Sequence, residues 1–188
     1  NAFTIGHCSG VTPYSFFSHP ALTVLSNVYC SITFPGLLRM HWNSRQSFAR
    51  QTDLFKVVRG RIQARETVFI LLREMDEDID TYLALTQPEG AQWLPAWKQS
   101  AQELRMFSVR QPYPMLMAAR RNLSDADFGD LLRATVIIAF RYNVIGAQHT
   151  GEQERVYHAA AMQLHNKEAA TLGQVLKTLR QVYPGDDA

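Results

Sequence analysis

An all-α body behind a charge-free N-terminal arm is the fold that three features of this sequence predict. From Arg39 onward, apolar residues recur at the three- and four-residue spacing of a helix face. Pro and Gly cut that pattern into pieces at Gln87-Pro88-Glu89-Gly90, at "QPYP" (111–114) and at Tyr183-Pro184-Gly185. Residues 1–38 contain no Lys, Arg, Asp or Glu. The pieces add up to about seven helices, packed as an irregular bundle over residues 39–188.

The arm, residues 1–38, holds Gly6, Gly10, Pro13, Pro20, Pro35 and Gly36 among Thr, Ser, Val, Tyr and Phe. Pro and Gly break helices, and the β-branched residues between them favour extended chain. "LTVLSNVYCSITF" (22–34) reads as a short hairpin or as irregular chain packed on the body or on a second subunit.

The body follows in order. Thr52-Asp53 can cap "LFKVVRGRIQ", whose Leu54, Phe55, Val57, Val58 and Ile62 form a broad apolar face. "ETVFILLREMDEDIDTYLALT" (66–86) places Val68, Leu71, Leu72, Met75, Ile79, Tyr82 and Leu83 at helical spacing. Pro95 starts a third helix at a first-turn position. A short helix runs from Met115 to Arg121. Ser124 with Asp127 resembles a capping box and opens an apolar helix through Phe140, Val144 and Ile145. Gly146 fits the left-handed position that ends a helix. Thr150 caps the next helix, with Glu152 and Glu154 in its first turn, and the last runs from Leu172 to Val182.

Composition narrows the chemistry. The formal net charge is +2, which makes no global case for nucleic acid. Cys8 and Cys30 stand outside any CxxC, which suits a reducing, cytoplasmic compartment, and no run of about 20 apolar residues predicts a membrane span. The opening Asn1-Ala2 reads as the start of a fragment or a processed piece. No nucleotide-binding glycine loop, GxSxG or HExxH occurs, so no catalytic, cofactor-binding or metal-binding residue is assigned. "EMDEDID" (74–80) places Asp76 and Asp80 on one helix face. Such a pair suits a divalent ion or acid–base work, and equally a solvated face beside an apolar stripe, the commoner case.

The densest basic run is "RGRIQAR" (59–65). With Arg39, Arg45, Arg50, Lys56, Arg59, Arg61 and Arg65 around Trp42, it suits phosphates and a stacked base. The alternative is surface charge whose stems cover apolar groups, with Trp42 in the core.

Three segments, in order, carry a family likeness: "LLRMHWNSRQSFARQTDLFKVVRGRI" (37–62), "YLALTQPE" (82–89) and "AFRYNVIGAQHTGEQERVYHAAA" (139–161). The series resembles the helical region of GmrSD-type restriction proteins, which lies between a ParB-like nucleotide-hydrolysing domain and an HNH-type nuclease domain. The likeness spans roughly residues 37–183, and its marks are Arg141, Tyr142, Asn143, Gly146 and Glu154. The family's DGQQR motif and HNH hairpin are absent, so neither catalytic centre carries over. The resemblance implies a connecting or dimerising module in modification-dependent DNA restriction and phage defence. Its implied partners are DNA, a nuclease or nucleotide-hydrolysing domain of the same protein or operon, and a second copy of the chain. By its position, Arg141 should stabilise a helix C-terminus by about 0.3–1 kcal/mol and pair with a carboxylate or backbone carbonyls, while Asn143 bonds free end carbonyls.

Overall fold

The computed structural model describes residues 34–183, so the arm and its hairpin lie outside the described residues, save Phe34 to Leu38. Among the described residues there are eight α-helices and no strand: α1 (Phe34–Asn43), α2 (Leu54–Arg61), α3 (Arg65–Thr86), α4 (Pro95–Met106), α5 (Tyr113–Asn122), α6 (Asp125–Ala139), α7 (Thr150–His165) and α8 (Leu172–Leu179). Seven of them match the predicted helices. The eighth, α1, is the one the sequence does not mark. Its Pro35 falls in the first turn, where a missing N–H costs nothing, and only Leu37 and the stretch from His41 to Asn43 bury side chains.

The short helix α5 is the centre of the bundle. It packs against α1, α3, α6 and α7. Every residue from Tyr113 to Ala119 is buried, and a helix that is apolar all round must lie inside. Tyr113 can be there because its hydroxyl donates to Leu85 O at 3.1 Å; burial pushes that phenol up to about 12. Around α5, α4 packs on α6, and α8 closes over α6 and α7.

A smaller cluster builds the N-terminal corner. Trp42, Ala49 and Leu54 are buried together, with Leu38, Val57, Val58 and Ile62 against them. The loop between α1 and α2 is held by Asn43, whose side chain donates to Ala49 O (3.1 Å) and accepts from Ala49 N (2.8 Å). Of the face predicted for α2, Phe55 turns outward and is 75% exposed. Asp53 stands at the N-cap position and makes no side-chain cap bond.

The predicted C-terminal part of α6 needs correction. At Ala139 the helix changes to a π-type turn, Phe140–Ile145, closed by Gly146 N to Arg141 O at 2.9 Å. The wider turn shifts the helical phase, so Tyr142 is buried while Phe140, Val144 and Ile145 face out. The left-handed residue is Ala147 (φ 46°), not Gly146 (φ −78°). Gly146 serves closeness instead: a Cβ there would lie 3.1 Å from Arg141 O. Thr150 is the first residue of α7 and not its cap, while Ser124 does accept from Asp127 N at 3.1 Å. The complete capping box lies elsewhere, between Thr171 and Gln174 at the start of α8.

Aromatic rings fill the α4–α6 contact. Trp97 meets Phe128 edge-on at 4.9 Å and Trp93 at 5.8 Å, and Arg120 lies over the Trp97 ring at 5.5 Å. Gly129 on α6 makes room for that indole, since a Cβ would stand 2.5 Å from Trp97 Nε1. Helix propensity alone would reward Gly129→Ala by about 1 kcal/mol. The clash should outweigh it, because an indole held on several sides cannot give way, so a net loss of about 1–2 kcal/mol is expected in chemical denaturation. Gly173, with nothing near its Cβ, is the control: Gly173→Ala should be neutral or stabilising.

Candidate functional site

Charged side chains converge where α1, α3 and α5 meet. Asp78, in the middle of α3, is 1% exposed. Its Oδ2 accepts from His41 Nδ1 at 2.7 Å and from Arg45 Nε at 3.4 Å, and its Oδ1 accepts from Arg121 Nη1 at 2.5 Å. His41 and Arg45 come from α1 and the turn after it, and Arg121 comes from the last turn of α5. Arg121 Nη2 also donates to Ser44 O and to Ser44 Oγ, both at 3.1 Å. Glu74, one turn before Asp78, lies 3.9 Å from His41 Nε2 and 3.6 Å from Arg45.

Burial by itself would raise the Asp78 carboxyl. The His41 hydrogen bond and the charges of Arg121, Arg45 and His41 more than offset it and hold the group below its ordinary value. Burial lowers Arg121, with Asp78 opposing. His165, nearby, is lowered first by burial and then by the Arg121 and Arg45 charges.

Ser44, His41 and Asp78 do not form a nucleophilic triad. The Ser44 hydroxyl donates to the His41 backbone carbonyl at 2.8 Å, and Ser44 is fully buried. Three donors already occupy the Asp78 oxygens, two on Oδ2 and one on Oδ1, and the carboxylate is almost wholly buried, so it is placed to hold cations and not to meet a substrate. Among the described residues, no three His, Cys, Asp or Glu side chains are grouped to hold a metal ion. Asp76 and Asp80 point to solvent on the other side of α3.

A cavity of about 260 Å³ opens between α1 and α7, lined by Arg39, Asn43, Phe48, Arg110, Glu154 and His158 among others. Here the structure brings together residues 115 positions apart: Arg39 Nη2 donates to Glu154 Oε1 at 2.5 Å. His158 bonds Gln46 O at 2.9 Å and meets the Phe48 ring edge-on. These contacts tie the α1–α2 loop to α7.

The predicted basic set is divided. Arg39 and Arg45 are ion-paired inward, and Trp42, 3% exposed, has no face to offer a base. Arg50, Lys56, Arg59, Arg61 and Arg65 are exposed. Of the "FRYNVIG" residues, Arg141 is half-exposed, donates to the Tyr183 hydroxyl at 2.6 Å and lies over its ring at 5.0 Å. Among the described residues Asn143 bonds no end carbonyl; its Oδ1 accepts from Gln153 Nε2 at 3.0 Å. The Tyr142 hydroxyl donates to His149 O at 3.1 Å. Sequence reasoning missed Asp78 and Arg121. The only signal was an aspartate at the Met75–Ile79–Tyr82 register, where an unpartnered charge would be costly.

Asp78→Ala should cost about 3–5 kcal/mol in urea denaturation, because it strands Arg121 without its carboxylate. Asp78→Asn tests the charge alone. A depressed carboxyl adds stability that is complete above its unfolded pKa, near 3.8, and is lost as pH falls through the lower folded value. Wild-type stability should therefore fall on acidification below about pH 5, and this part of the fall should be missing in Asp78→Asn.

No protein-family model, no curated protein and no solved structure matches the chain, so its own side chains carry the functional reading.

Proposed function

We propose that the chain is a non-catalytic helical connecting or dimerising module of a bacterial restriction protein that acts on modified DNA in phage defence. The likeness of residues 37–183 to the helical region of GmrSD-type proteins supports it. One observation carries it further: the motif residues hold helices together. Glu154 holds Arg39, Asn143 holds Gln153, and Gly146 admits the π-type turn. A module of this kind transmits position between domains and leaves chemistry to its neighbours. Its partners are then a nucleotide-hydrolysing or nuclease domain of the same protein or operon, in the cytoplasm; among the described residues no helix is long and apolar enough to cross a membrane.

A second reading has its own observation. Arg50, Lys56, Arg59, Arg61 and Arg65 are exposed, as are Phe55 and Phe69, and Arg65 lies over the Phe69 ring, a composition suited to a nucleic-acid backbone.

The purified chain should neither hydrolyse nucleoside triphosphates nor cut DNA, and the coding sequence around it should hold a DGQQR frame upstream or an HNH frame downstream. Turnover that survives purification and vanishes in Asp76→Asn or Asp80→Asn would overturn the non-catalytic reading. Absence of both frames would remove the family. DNA binding that weakens steeply with salt and is lost in Arg59→Glu/Arg61→Glu would favour the second reading.

A further inference from the structure

The first half of α3 is apolar and uncovered. Val68, Phe69 and Leu72 are 40%, 56% and 49% exposed, although Met75, Ile79 and Tyr82 farther along the same helix are buried. At 100° per residue, positions 65, 69, 72 and 76 fall in one stripe about 60° wide, with Val68 at its edge. The stripe therefore reads Arg65, Phe69, Leu72, Asp76: a cation at one end, an anion at the other, and two large apolar side chains between.

That order is self-complementary. A two-fold axis crossing α3 between Ile70 and Leu71 sets position 65 of one copy opposite 76 of the other, and 69 opposite 72. Both charge contacts then join opposite signs, and each Phe69 meets a Leu72. Among the described residues neither charge is ion-paired: Arg65 lies over the Phe69 ring at 5.5 Å, and Asp76 is exposed. A partner of unrelated sequence would have no reason to match this order, but a second copy matches it by symmetry.

We propose that two copies of this chain associate through an antiparallel α3–α3 contact, with Arg65 of each copy opposite Asp76 of the other and Phe69 opposite Leu72. The apolar pairs supply the association, and the charges set direction and register. The proposal also gives a use to part of the acidic run at 74–80 that catalysis does not need. It deepens the dimerising part of the reading above and rests on that part alone. If it fails, the connecting role and its flanking-sequence test still stand.

The test is sedimentation of the full chain over about a hundredfold concentration range. The wild type should be a dimer at the upper end. Arg65→Asp and Asp76→Arg each create two like-charge contacts, and each should weaken self-association at least about tenfold. An equimolar mixture of the two should form a heterodimer, because every contact is again between opposite signs. Leu72→Gln, which alters no charge, should weaken association as well, and circular dichroism melts check that each variant is folded. A wild type monomeric throughout, a dimer that both charge variants leave intact, or a mixture that does not re-pair would each overturn the proposal.

Discussion

A carboxylate taken almost wholly out of water stays ionised only if donors replace its lost hydration, and Asp78 sits under that constraint. Its donors come from three places in the chain: His41 at the end of α1, Arg45 in the following turn and Arg121 at the end of α5. None of the three can move independently without stranding a charge, so satisfying one side chain fixes three helices together. Hydrogen bonds are directional where apolar contact is not, and this cluster gives the bundle its register. Once α5 is held there, its apolar surface has to be covered on every side, and α6 and α7 do so.

The same constraint divides the basic residues. Arg39, Arg45 and Arg121 lie against carboxylates and join helices, whereas Arg50, Lys56, Arg59, Arg61 and Arg65 stay in water. A cation bound inward by a carboxylate at 2.5 Å is a poor phosphate ligand, because releasing it leaves a partly buried Glu154 uncompensated. Whatever the outer cations meet, the inner ones keep the fold. The "FRYNVIG" corner belongs to the inner group: its π-type turn points Tyr142 inward and brings Asn143 to Gln153.

The 22-residue helix α3 serves two environments along its length of about 33 Å. Its second half carries Asp78 and packs on α4 and α5. Its first half keeps the same apolar richness without such cover, and Val68, Phe69 and Leu72 stay exposed. An apolar stripe with ordered charges at both ends is the composition of a contact surface.

Fold class and most helices were legible in the sequence, because helical periodicity and Pro/Gly punctuation are local signals. The seven periodic segments are all present, and the Ser124 cap forms as written. α1 was not legible, since its opening Pro-Gly reads as a breaker and its few buried side chains give no clear period. Nor could the sequence rank the helices: ten residues around "MLMAARR" look minor until four other helices close on them. The candidate site was legible only in parts. Glu154 and Arg39 each stood out, but their pairing spans 115 positions, and Asp78 looked like one more member of a solvated acidic run. Local spacing determined which segments become helices. Which charges are buried together, where α6 relaxes into a π-type turn and which half of α3 stays uncovered were decided by tertiary packing, because each depends on the desolvation of groups that meet only when the helices do.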